Sequence, residues 1–179
     1  MPEDLLGIPF PAVAHDHGRC VDEALRRARA AFERKGLKFT PLREQILREI
    51  AASHSAVGAY EVRDRLLAKG GRRLSPISVY RAIDALLYVG AISRFKSRNA
   101  YFARHNEEDA SSRVVLACQE CGRVAEIDGA RVFRAIQRAA TQEAFVPADA
   151  VIEVSGLCVN CAKRRQSGRA SRSFRGEAG

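Results

Sequence analysis

Ser75-Pro76-Ile77-Ser78-Val79-Tyr80-Arg81-Ala82-Ile83-Asp84-Ala85-Leu86-Leu87-Tyr88-Val89-Gly90-Ala91-Ile92-Ser93-Arg94-Phe95-Lys96 changes its hydrophobic period at one glycine. Ser75 before Pro76 is an N-cap with proline at the first helical position. Val79, Ile83, Leu86 and Leu87 then return at helical spacing and stop at Gly90. Beyond it Ile92, Arg94 and Lys96 alternate with Ser93, Phe95 and Ser97, and a second short strand surrounds Tyr101 and Phe102. Ser97-Arg98-Asn99 between them is turn chemistry, so the segment predicts a two-stranded hairpin. Upstream, Val21, Ala24, Leu25, Ala28 and Phe32 mark one helix ended by Gly36. Thr40-Pro41 caps a second, with Leu42, Ile46, Leu47 and Ile50 as its stripe, and a third runs from about Ala59 to Gly70-Gly71. Short helices followed by a hairpin predict a winged helix-turn-helix, whose last helix enters the major groove with its N-terminal residues at the base edges. Ser78, Tyr80 and Arg81 are the candidate DNA contacts on that helix. An arginine there suits a bidentate contact to guanine, and a tyrosine suits a thymine methyl or a phosphate.

The charge distribution agrees. Residues 20–104 hold eighteen basic and eight acidic side chains, a surplus of +10, and fourteen of the basic residues are arginine. Residues 105–161 hold five and nine, a balance of −4. A basic half joined to an acidic one points to a polyanion-binding module beside a module with another task. A hydrophobic fraction of 46% suffices for a packed core and argues against disorder throughout. The longest uncharged runs, Leu5–His15 and Ile50–Tyr60, are eleven residues each, against about 20 for a membrane-spanning helix. Acidic residues at the N-terminus speak against a secretory signal, so a cytoplasmic address is expected.

Four of the five cysteines form two pairs, Cys118-Gln-Glu-Cys121 and Cys158-Val-Asn-Cys161, separated by 36 residues. A two-residue gap lets both thiolates of a pair face one ion, and two pairs complete a closed tetrahedral site of the structural zinc type. A zinc enzyme would need an open coordination position; no HExxH pattern occurs, and His105-Asn106-Glu107 is not followed by a P-C-x-x-C pair, so no catalytic residue is expected. Disulfides suit the expected compartment poorly; loss of zinc on thiol oxidation is the competing use of the same sulfurs. Val114–Ala117, Val124–Ile127 and Val151–Val154 predict strands around the pairs, with an amphipathic helix through Val132, Phe133, Ile136, Ala139 and Ala140.

In order and spacing, Leu37-Lys38-Phe39-Thr40-Pro41-Leu42-Arg43, Ala59-Tyr60-Glu61-Val62, Ser78-Val79-Tyr80-Arg81-Ala82-Ile83-Asp84, Cys118–Gly122 and Gly156-Leu157-Cys158 with Cys161 resemble the ferric uptake regulator family, within it the zinc uptake regulator branch. The resemblance covers about residues 20–161. It implies an α+β protein: an N-terminal winged helix-turn-helix followed by a small α/β dimerisation domain with a four-cysteine zinc site. The expected organisation is a flexible N-terminal extension (1–19), a winged-helix DNA-binding domain (20–104), a zinc-containing dimerisation domain (105–162) and a basic disordered tail (163–179). The implied function is a homodimeric, metal-linked transcriptional repressor of metal homeostasis genes on a palindromic operator in double-stranded DNA, with Tyr60 assisting the DNA contact.

The resemblance also implies a regulatory metal at the hinge, and there the sequence departs from it. Ser93 stands for a wing histidine, Arg104 for a hinge cysteine and Ser111 for a histidine before the first cysteine pair; only the acidic position, Glu126, is kept. One zinc per chain is expected, held by Cys118, Cys121, Cys158 and Cys161. A second divalent metal is left open, with Glu126, His105, His15 and His17 as candidate ligands and with Glu107, Glu108 and Asp109 offering an oxygen-rich surrounding. The alternative is a hinge set by protein contacts such as Arg104 against an acid, with DNA binding independent of a second metal or controlled by thiol oxidation.

Overall fold

The computed structural model describes residues 17–52, 54–70, 74–104, 113–147 and 150–173. Helices α1 (His17–Arg34), α2 (Pro41–Ala51), α3 (Ala59–Ala68) and α4 (Pro76–Tyr88) make the first half. Their ends follow from local chemistry. Thr40 and Ser75 cap α2 and α4 by accepting from the Arg43 and Ser78 N–H groups, each with proline at the first position. Gly90 takes φ +74° after α4, where its N–H reaches Leu87 O at 2.9 Å and Ala91 N–H reaches Leu86 O at 2.9 Å. α2 lies at the centre against α1, α3 and α4, and Phe32, Ile46, Leu47, Ile50, Val62, Val79, Ile83 and Leu86 are fully buried between them.

Strands β2 (Ile92–Phe95) and β3 (Ala100–Ala103) form the expected hairpin, joined by a 3-10 turn over Lys96–Arg98 and by Asn99 at φ 48°. A two-residue strand β1 (Val57–Gly58) adds to β3, giving the sheet order β1-β3-β2. The hairpin is buried on both faces. Ile92, Tyr101 and Ala103 join the helical core. Phe95 and Phe102, on the other face, pack with Val115, Ala117 and Val124 of the second half. A core therefore crosses the boundary expected near residue 104.

The second half is a three-stranded sheet of β4 (Arg113–Cys118), β5 (Val124–Asp128) and β6 (Ile152–Gly156) in the order β5-β4-β6. β4 is antiparallel to β5 and parallel to β6. Helix α5 (Ala130–Gln142) carries the chain between the two edges, and α6 (Val159–Ser173) follows the second cysteine pair.

Two expectations need correction. α1 opens at His17 rather than after residue 19. The tail is not disordered from residue 163, because α6 continues to Ser173. Ala162, Lys163, Arg164, Arg165 and Gln166 are good helix formers, and the Ser167 hydroxyl donates to Lys163 O at 2.8 Å. His54 is half-buried, and its carbonyl accepts from Val124 N–H at 2.7 Å. Residues 174–179 lie outside the described residues, as do His15, His105, Glu107, Glu108, Asp109 and Ser111. Among the described residues no helix is long and apolar enough to cross a membrane.

Candidate metal centre and nucleic-acid interface

The parallel pairing of β4 with β6 brings Cys118 opposite Gly156, so both cysteine pairs emerge at one end of the sheet. Gln119 N–H to Gly156 O, at 2.8 Å, fixes that register beyond the strands. Cys161 lies in the first turn of α6, where Ala162 N–H returns to Cys158 O at 2.9 Å. The four sulfurs lie within 4.8 Å of one another, with Cys118, Cys158 and Cys161 buried and Cys121 half-buried. A tetrahedral ion with sulfurs at about 2.3 Å sets neighbouring sulfurs about 3.8 Å apart, and Cys121 Sγ lies 3.9 Å from Cys158 Sγ. The donor set fits one zinc ion.

Electrostatics support thiolates here. Burial pushes the Cys118 thiol up, but N–H groups of Cys121, Cys158 and Glu120 outweigh it and bring it down to about 6. Without a cation, burial and the neighbouring sulfurs push the Cys161 thiol up to about 12. Four thiolates therefore cannot coexist unless a cation offsets them, so zinc binding releases protons. Arg164 is a partner the sequence did not reveal. Its guanidinium donates to Cys161 Sγ at 2.9 Å and reaches Glu120 Oε1 at 3.7 Å, bridging the two cysteine pairs.

The cluster is attached to the helical half. Val124 N–H bonds His54 O, Ser55 forms an antiparallel bridge with Arg123, and Ser55 Oγ lies 3.5 Å from Cys121 O. Gly122, at φ +71°, turns the chain beneath Ser55, whose Oγ would stand 3.6 Å from an added Cβ.

The hinge position is occupied by protein. The Glu126 carboxylate accepts from Ser93 Oγ at 2.8 Å and Arg113 Nη1 at 3.3 Å, and Arg104 Nε lies 3.9 Å away. The two arginine side chains are 11% exposed and Glu126 is 9% exposed. Ser93, Arg104 and Glu126 do come together, and Arg113 joins them unforeseen. Both Glu126 oxygens face cationic or hydroxyl partners, and two guanidinium groups repel a divalent ion. The described residues at this position do not fit a second metal. Of the other candidates, His17 is described only as the first residue of α1.

In the helical half, Tyr60 is 59% exposed and stands edge-on to Tyr80, with ring centroids 6.4 Å apart. The Arg63 guanidinium lies 5.2 Å from the Tyr60 ring centroid. Tyr80 is half-buried against the helical core, Arg81 is exposed, and Ser78 Oγ lies 2.9 Å from Ser75 Oγ. Tyr60 of α3 is thus brought beside Tyr80 of α4, with Arg81 the next residue along that helix, whereas Ser78 is engaged in the cap.

The profile of the ferric uptake regulator family matches residues 34–155. The chain is 30% identical over 140 residues to the zinc uptake regulation protein of Escherichia coli (strain K12), covering 78% of this chain and 81% of that protein. Among solved structures, a zinc uptake regulator complexed with zinc and DNA superposes with a TM-score of 0.74 at 28% identity, over 82% of this chain and 97% of that one. Holo XcZur gives a TM-score of 0.69 at 31% identity, over 79% and 99%.

Proposed function

The chain belongs to the ferric uptake regulator family, and from that premise we propose that it is a metal-responsive, sequence-specific DNA-binding repressor of the zinc uptake type. Members of this family are transcription regulators, not enzymes. The observation that carries the reading is exposed Tyr60 of α3 set edge-on to half-buried Tyr80 of the capped helix α4, with exposed Arg81 next to it, in the same chain as a four-sulfur cluster sized for zinc. In this reading zinc on Cys118, Cys121, Cys158 and Cys161 holds the second half in shape. It fills its coordination sphere with sulfur and has no open position for catalysis.

The working unit is a homodimer on a palindromic operator in the cytoplasm. Helix α5 supports it: Val132 and Ile136 are 45% and 38% exposed, and none of its residues is buried. Strand β6 is a sheet edge with Val154 47% exposed. A second copy covering this surface aims two α4 helices at half-sites about one helical turn apart.

The Glu126 cluster favours one version of the regulation. Where a hinge metal would tie the wing to the second half, Arg104 and Arg113 do so around a buried carboxylate. DNA binding then depends on the four-cysteine zinc and on no second metal at this position. Metal analysis of the purified dimer, with operator binding before and after chelation, is the test. One zinc per chain, and affinity unmoved by chelators too weak to strip that zinc, is the expected result. Two metals per chain, with affinity falling as the weaker one leaves, would show a second site at work.

A further inference from the structure

Ile77 leaves 65% of its surface in solvent on the first turn of α4. It precedes Arg81 by four residues, so the two share one stripe of the helix. The buried residues Val79, Ala82, Ile83 and Leu86 lie around the other side. A large β-branched side chain gains nothing for folding here, since its apolar surface stays wet and its helix propensity is modest. Its direction is nevertheless fixed. Pro76 holds the first helical residue, Ser75 Oγ accepts from Ser78 N–H at 3.2 Å, and the two serine hydroxyls meet at 2.9 Å. Charged and aromatic side chains, Arg81 and the Tyr60–Tyr80 pair with Arg63, accompany it at this end of the helix.

We propose that Ile77 is a specificity-determining residue that reads the C5-methyl group of a thymine while Arg81 takes a neighbouring guanine. The inference rests on the DNA-binding reading above and adds the base that the apolar residue selects. In the major groove the thymine methyl is the apolar mark that separates A·T from the other pairs, and an exposed aliphatic group is its natural complement. Four helical residues rise about 6 Å and successive base pairs about 3.4 Å. The thymine therefore lies about two base-pair steps from the guanine that depends on Arg81.

The probe is the duplex that the zinc-loaded full chain enriches from a randomised pool. Each thymine is replaced in turn by deoxyuridine, which removes the methyl and leaves the hydrogen-bonding edge intact. One thymine per half-site is expected to respond, its replacement weakening wild-type binding about fourfold. The same replacement is expected to leave Ile77→Ala unaffected. That variant should keep the wild-type melting temperature, because the side chain is exposed. An Ile77→Ala protein with undiminished methyl sensitivity overturns the proposal, and so does a selected duplex in which no thymine responds. A pool from which nothing is enriched defeats the DNA-binding reading, and this one with it.

Discussion

Glu126 draws together side chains from both halves: Ser93 on β2, Arg104 just after β3, Arg113 on β4 and its own strand β5. Removing a carboxylate between two largely buried guanidinium groups leaves their charges uncompensated, so Glu126→Ala is expected to cost about 3 kcal/mol in urea unfolding. Glu126→Gln keeps an acceptor for Ser93 and should cost less. A loss within about 0.5 kcal/mol for the alanine variant would mean that water already screens the cluster. Glu153, on β6, makes a second tie by accepting from Lys96 N–H at 2.5 Å and Ser97 N–H at 3.0 Å at the wing turn. Burial raises its carboxyl, but the Ser97 hydroxyl, the two N–H groups and the Lys96 charge prevail and hold it below the usual range. A depressed folded value means the tie is complete above the unfolded value of about 4.3 and is lost as pH falls through the lowered one. The Lys96 and Ser97 amide resonances should therefore move together in that acidic window. Glu153→Gln should abolish the movement, and an unchanged titration in that variant would assign it to another group.

At the scale of elements, what the sequence revealed was local. Ser75 and Thr40 stand beside the helices they cap, and the apolar stripes of α1 to α4 repeat within each helix, so these elements could be read residue by residue. Ser75→Ala is expected to cost about 1 kcal/mol by thermal melting. It should also weaken operator binding, because the cap orders the turn that carries Ile77, Tyr80 and Arg81. Stability lost with affinity intact would show that the turn is ordered by something other than its cap. The elements that escaped reading depend on partners far along the chain. Strand β1 is two residues long and exists because Val57 and Gly58 meet Tyr101 and Ala100. Arg113 and Arg164 looked like ordinary surface charges until folding set one against Glu126 and the other against Cys161. Helix α6 was hidden by a composition rich in arginine and serine, which resembles that of a disordered tail.

At the scale of the whole molecule, the described residues join the two halves at four places: the Phe95–Phe102 core, the Glu126 cluster, the Glu153 clamp and the strand-like contact of His54 and Ser55 with Arg123 and Val124. The last begins two residues after Cys121, so the zinc site is attached to the loop that leads from α2 into β1 and α3. Zinc held by four thiolates can contribute about 10–16 kcal/mol to the folding of the part it closes, far more than any one of the other ties. Its loss should release the 121–124 segment and, through His54 and Ser55, loosen the placement of α3, which carries Tyr60. Cys121→Ser, or a chelator strong enough to strip the site, is therefore expected to melt the second half and to lower operator affinity at least tenfold, although no cysteine stands beside Tyr60, Tyr80 or Arg81. Circular dichroism follows the first effect and a fluorescence-anisotropy titration the second, on one sample with zinc content measured alongside. Metal-free protein that keeps both its fold and its affinity would show that the sulfurs neither shape the second half nor steer the first.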